Sequence, residues 1–130
     1  MLSNDEKIFT IAKKNLGCSQ PYLNQNKLTK LENVLLDDNP LPVMIFEKKY
    51  FLSDGHTRAF LIKDDVVKVY LDCDLMDLNS MYEDYITFIN WTQELGVYSI
   101  DDLKNRVISE DEFKEKWIKR CEDYLQQKDR

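Results

Sequence analysis

Pro42-Val43-Met44-Ile45-Phe46-Glu47-Lys48-Lys49-Tyr50-Phe51-Leu52, running on into Ser53-Asp54-Gly55-His56-Thr57-Arg58, is the stretch whose reading decides the fold. Two apolar arms flank the charged triplet Glu47-Lys48-Lys49, so Pro42 to Leu52 reads as a short β-hairpin with its turn at the triplet. Val43 and Ile45, with Leu41 ahead of them, alternate with Pro42, Met44 and Phe46. Both faces of this strand are therefore apolar, which places it inside a sheet. Ala59 to Lys63 reads as the first turns of a helix. Between strand and helix, Gly55 allows the backbone to come close to a ligand, and N–H groups at a helix start lack intrahelical partners. The place suits an anion: Arg58 brings a fixed fork of donors, Thr57 a hydroxyl, and His56 is the only histidine of the chain. The same residues also spell an ordinary turn, because Asp-Gly is a turn signal and threonine a helix cap.

Outward from the hairpin, the pattern is helical on both sides. Ser3-Asn4-Asp5-Glu6 has the form of a capping box, and Ile8, Phe9, Ala12 and Leu16 recur at helical spacing up to Gly17, so an N-terminal helix is expected. Pro21 breaks the chain, Asn24 is placed to cap, and Leu28, Leu31, Val34 and Leu35 form one helical face that ends at Asp37-Asp38-Asn39-Pro40. Downstream, Asp64-Asp65 arrives soon after Phe60-Leu61-Ile62 and keeps that helix short. Val66 to Cys73 is a strand by its β-branched residues. Asn79-Ser80 can cap a long helix to Leu95, with Gly96 as its stop. Its Met81, Tyr82, Tyr85, Ile86, Phe88, Ile89 and Trp91 cover more than one face, which points to burial in its own domain ahead of a homodimer interface. Ser99-Ile100-Asp101-Asp102 opens a brief helix to Asn105. Ser109-Glu110-Asp111-Glu112 caps the last one, with Phe113, Trp117, Cys121, Tyr124 and Leu125 on its apolar face and Gln126 to Arg130 expected to fray. The sum is an α+β fold, a small mixed β-sheet covered by helices, in a single domain over 1–130 with an N-terminal helix and a C-terminal helical extension.

Composition narrows the classes. The chain has 130 residues, 43% of them hydrophobic and 32% charged, enough for one domain with its own core. No apolar run nears the ~20 residues that span a bilayer, and the acidic, polar start is unlike a targeting peptide, so a cytoplasmic protein without a membrane partner is expected. The net charge of −6 disfavours nucleic acid, whose binding draws on cations; the one dense basic group is Lys13-Lys14 with Lys27 and Lys30. Three widely spaced cysteines and one histidine fit neither a disulfide framework nor a zinc site. Cys73 and Cys121 are expected to be buried thiols, and Cys18 to lie in an accessible loop.

Pro42-Val43-Met44-Ile45, Tyr50-Phe51-Leu52 and Asp54-Gly55-His56-Thr57-Arg58-Ala59 together resemble the core of the ParB/sulfiredoxin superfamily, with Ser19-Gln20-Pro21-Tyr22 similar to its opening segment. The resemblance spans Cys18 to Leu71. It implies a strand pair that delivers a Gly-x-x-Arg turn onto a helix start, where phosphates or related anions bind. Among relatives with a similar turn are free serine kinases, which implies ATP or ADP with Mg²⁺ as cofactor. Ser53, Gly55, Thr57 and Arg58 would then hold the nucleotide or a small phosphorylated ligand, with Asp54 and His56 catalytic. Asp54 would bind Mg²⁺ or accept the hydroxyl proton, and His56 would shuttle a proton near neutral pH. Such a phosphotransferase needs a second carboxylate, for which Glu47 and Glu32 are the candidates.

Sulfiredoxin chemistry fails on one residue, because His56 stands where those enzymes carry a nucleophilic cysteine after the turn glycine. DNA partition is disfavoured as well: the Gly-Glu-Arg-Arg turn of those proteins is incomplete here and the C-terminal helices are acidic. The alternative to an enzyme is a non-catalytic regulatory or interaction module, with Tyr82, Tyr85, Phe88 and Trp91 as a docking surface. Convergence of Asp54, His56 and Arg58 with another carboxylate in one pocket would favour the enzyme. Arg58 turned into a salt bridge on the surface, with the cleft filled by side chains, would favour the module.

Overall fold

The computed structural model describes residues 7–32, 39–77 and 80–128. At its centre is the hairpin: β4 (Leu41–Phe46) and β5 (Lys49–Leu52) pair antiparallel, with Val43 opposite Leu52 and Phe46 opposite Lys49. Glu47 and Lys48 make the turn with φ of 51° and 65°. A two-residue turn of this hand follows the natural twist of the strands, but side chains other than Gly, Asn or Asp adopt it at a cost.

β6 (Val66–Leu71) lies parallel to β4 on its other side, with Leu41 opposite Val69 and Val43 opposite Leu71. The crossover between them carries α2 (His56–Leu61), short as its Asp64-Asp65 boundary requires. β6 ends at Asp72, whose N–H donates to Val43 O at 2.8 Å and whose Oδ1 accepts from Leu75 N at 3.2 Å. That side chain caps α3 (Cys73–Asp77), an element the run of β-branched residues before it conceals.

The N-terminal segment is a strand, contrary to the helical expectation. β1 (Ile8–Ala12) pairs antiparallel with β6, Phe9 opposite Val69 and Ile11 opposite Val67. Phe9 and Ile11 pack on the core while Ile8 and Thr10 face out. Over so few residues the apolar positions satisfy a period of two as well as one of 3.6, and the open edge of β6 decides between them. The capping box at Ser3 to Glu6 lies outside the described residues. After a 3₁₀ turn at Lys13–Asn15, β2 (Leu16–Gly17) runs parallel to β5, giving a mixed sheet of order β1-β6-β4-β5-β2. Gly17 is thus no helix stop. A Cβ there would lie 2.4 Å from the Phe51 ring, so the glycine is where backbone and ring meet.

Helices cover both faces, so the fold is α+β. On one face Leu16, Leu41, Val43, Leu52, Val67 and Val69 pack with Leu23, Ala59, Val97, Ile100 and Leu103. On the other, Met44 and Phe51 pack against Ile89 of α4 (Ser80–Glu94), together with Leu75, Tyr82, Tyr85 and Ile86. Gly96 follows α4 at a φ of 86°. Asn79 and the Val34 to Asp38 segment lie outside the described residues. α1 (Gln25–Glu32) starts as expected on Asn24, whose Oδ1 accepts from Asn26 N at 2.9 Å. A second, two-stranded sheet joins β3 (Leu23–Asn24) to β7 (Val107–Ile108), and Arg106 locks it by donating from Nε to Pro21 O at 2.7 Å and lying over the Tyr22 ring.

Ser99 and Asp102 cap the 3₁₀ segment Ile100–Asn105 reciprocally. Ser109 caps the last helix, accepting from Glu112 N at 3.1 Å. That helix comprises α5 (Glu110–Phe113), a π turn at Lys114–Ile118, and α6 (Lys119–Lys128). Its final turn does not fray at Gln126 to Lys128, because Lys128 Nζ reaches the buried carboxylate of Asp84 on α4 at 2.7 Å. Between the two helices Phe88, Trp91, Trp117 and Tyr124 meet edge to face or tilted, with centroids 5.5 to 6.1 Å apart. Phe88 and Trp117 are buried, Trp91 and Tyr124 half-buried, and Tyr82, also half-buried, donates to Ile45 O at 2.7 Å. No helix among the described residues is long and apolar enough to cross a membrane.

Candidate functional site

The Gly55 turn forms because β5 ends on Leu52, whose carbonyl is taken by the Ser19 hydroxyl at 2.7 Å. Gly55 then adopts a φ of 79°, its N–H donating to Asp54 Oδ1 at 2.8 Å, and α2 begins at His56. A Cβ at this glycine would also meet Leu41 Cδ2 at 2.8 Å. Glycine is required here by backbone hand and by space together.

His56 and Thr57 point inward, each 3% exposed. The Ser19 N–H donates to His56 Nε2 at 3.0 Å, so that nitrogen holds a lone pair and the neutral ring carries its proton on Nδ1. Nδ1 is buried and has no hydrogen-bond partner among the described residues. Burial holds the imidazole neutral, pulling its pKa down to about 3; Asp54 pulls it back up and the Lys27 ammonium pushes it further down. The ring is thus a neutral N–H donor near neutral pH, and the proton shuttle expected of it rests on the resemblance alone.

A pocket of about 220 Å³ opens beside it, walled by Gln20, Asn24, Lys27, Asp54, His56 and Thr57 on one side and by Phe113, Trp117 and Ile118 on the other. The second wall is the π turn of the C-terminal helix, where the extra residue per turn widens the backbone. Such widenings recur at functional sites. Gln20 is oriented by donating from Nε2 to Tyr22 O at 2.9 Å. Asn24 is held by its cap on α1.

Of the six residues that the turn offers, Asp54, His56 and Thr57 reach this pocket and two others are committed elsewhere. Ser53 gives its hydroxyl to Asp72 Oδ2 at 3.0 Å and its N–H to Pro42 O at 3.1 Å. Arg58 donates from Nη2 to Asn39 O at 2.7 Å and does not line the pocket. Gly55 contributes the shape of the turn. Glu47 stands in the hairpin turn and Glu32 at the end of α1, so neither supplies a second carboxylate beside Asp54. Among the described residues no three His, Cys, Asp or Glu groups gather where they could hold a metal ion. One carboxylate among the described residues lining a space of about 220 Å³ does not fit a whole Mg²⁺-nucleotide.

Neither a scan against family models nor searches of curated proteins and of solved structures found a match.

Lys27, Gln20, Asn24 and the Phe113-Trp117-Ile118 wall are the site residues the sequence did not single out. Lys27 was visible only as part of a basic group, which the fold divides: Lys27 faces this pocket, whereas Lys13 and Lys14 border another cavity beside Asp64 and Asp65. The i, i+4 spacing of Phe113 and Trp117 is the same for a core helix as for a pocket wall. The cysteines reverse their expected places. Cys18 is buried in the core, where desolvation and then Asp102 push its thiol up, while Cys73 and Cys121 are half-buried. Burial likewise raises Cys121, to about 12. For Cys121 burial outweighs the Arg120 charge, which pulls the other way.

Proposed function

We propose that this protein is a non-catalytic ligand-binding module of the ParB/sulfiredoxin type, and that the Gly55 pocket takes a small phosphorylated ligand or the terminal phosphate of a larger one. The observation that carries this reading is the His56 Nδ1–H, a buried donor without an acceptor, in a wall shared with Lys27 and Thr57. An unmatched buried donor costs about 1–3 kcal/mol, so an anionic oxygen that reached Nδ1 would relieve that cost, while the Lys27 ammonium on the pocket wall meets the ligand's charge. The π turn with Trp117 then covers the ligand's apolar side. Binding without turnover suits these groups, since Arg58 serves the chain before β4, His56 stays neutral and Asp54 is the one carboxylate among the described residues that line the pocket.

The test is a titration of the full chain with inorganic phosphate, O-phosphoserine and glycerol 3-phosphate, read by tryptophan fluorescence and by calorimetry. Saturable binding that Lys27→Ala and His56→Gln weaken, and Arg58→Ala leaves alone, supports the reading. Absence of binding by all three probes removes it. A new phosphorylated product on incubation with ATP, Mg²⁺ and small hydroxylated metabolites would restore the phosphotransferase.

A further inference from the structure

A second site lies at the sheet edge, away from the Gly55 pocket and independent of it. Parallel pairing of β2 with β5 sets Leu16 beside Tyr50, so the residues leading into each strand, the first of β5 included, emerge at the same end. Those residues are Lys14 and Asn15 on one segment and Lys48 and Lys49 on the other. They border an open groove of about 460 Å³, closed on its far side by Gln93 of α4 and by Tyr98. No carboxylate lines it, and none of the three lysines has an ion-pair partner among the described residues. The nearby Asp102 is already engaged, accepting from the backbone N–H groups of Tyr98 and Ser99 at 2.8 and 3.0 Å.

The three lysines border one groove without an ion-pair partner among the described residues, in a chain whose net charge is −6, and Lys14 also borders the cavity lined by Asp64, Asp65 and Asp101. The local backbone deepens the anomaly. Lys48 occupies, at a φ of 65°, the turn position that glycine suits best, so a lysine is held there against backbone preference. Tyr98 is 64% exposed, among the most exposed large apolar side chains of the described residues. Its ring offers a platform beside the cations.

We propose that this groove binds a linear oligophosphate of three or more phosphates, either free or as the tail of a nucleoside triphosphate, with Lys14, Lys48 and Lys49 along the chain of phosphates. Lysine suits such a ligand as a set of point charges, without the bidentate geometry that arginine would impose. A single phosphate cannot meet all three ammonium groups at once.

Calorimetric titration of the full chain with tripolyphosphate, ATP and orthophosphate tests this. The expected result is one site for the first two, at least roughly tenfold weaker binding of orthophosphate there, and marked loss of affinity with added salt. Lys48→Gly should weaken tripolyphosphate about two- to fivefold, as should Lys14→Gln. Because glycine suits the turn, Lys48→Gly should leave the melting temperature unchanged or raised, which separates lost binding from lost folding. ATP binding tighter than tripolyphosphate, with the difference removed by Tyr98→Ala, would assign the nucleoside form; equal affinities would assign the free chain. No saturable binding, or binding that both lysine variants leave intact, overturns the proposal. So does loss of tripolyphosphate binding through Lys27→Ala alone, which would place the ligand in the Gly55 pocket.

Discussion

Acid should destabilise this protein through one residue, and the effect can be isolated because the chain has a single histidine. His56 is buried and held neutral, with a folded pKa of about 3 against 6.5 for the free side chain. The unfolded chain therefore binds a proton between those values that the folded chain refuses. Stability is at its full value above pH 6.5 and declines as the pH falls toward the folded value. Each pH unit inside the window changes the folding constant up to tenfold, so by pH 5 the loss amounts to roughly 2 kcal/mol. That is a large share of the 5–15 kcal/mol typical of a domain. The assay is urea unfolding followed by circular dichroism from pH 7.5 to 4.5, on the wild type and on His56→Gln. Glutamine keeps an acceptor for the Ser19 N–H and cannot titrate, so carboxylate contributions cancel in the difference between the two curves. The wild type should lose stability relative to the variant below pH 6.5. Parallel curves would refute the argument, because they would mean that the ring protonates as readily in the folded protein as in the unfolded one.

Three further outcomes follow from the same geometry. Gly55→Ala should cost about 1–2 kcal/mol, since alanine must adopt a left-handed backbone, and a urea midpoint equal to the wild type's would show the turn has another conformation open to it. Gly17→Ala should cost about 1–3 kcal/mol, because its methyl meets the Phe51 ring packed against Met44 and Ile89; the melting temperature checks it, and Gly17→Ala combined with Phe51→Leu should recover part of the loss. Arg58→Ala should lower stability by about 1 kcal/mol through the lost bond to Asn39 O, yet leave phosphate affinity at the Gly55 pocket unchanged, and a selective loss of affinity would return Arg58 to the site.

The hairpin, β6, the short α2, α4 and the capped C-terminal helix were legible because each carries its own local signal: a charged turn between apolar arms, β-branched residues in a row, or a serine three residues ahead of an acidic one. β1 was not legible. Ile8, Phe9 and Ile11 suit a strand or a helix equally, and the deciding partner, Val66 to Leu71, comes more than fifty residues later. The β3–β7 pair eluded the sequence for the same reason, being two residues long on each side and joined across the whole fold. At the site, the turn was found but the direction of its side chains was not. Arg58 could face a ligand or Asn39, and only the path of the chain before β4 decides. Lys27 and Trp117, from segments ninety residues apart, have no mark that tells a pocket wall from a surface or a core.

The Lys128 contact with Asp84 ties the tip of the final helix to α4, while the π turn of that same helix forms one side of the Gly55 pocket. With the proposed ligand bound, occupancy of the pocket and attachment of the helix would be linked equilibria, so a change that breaks the Asp84 contact should loosen the grip on that ligand from a distance.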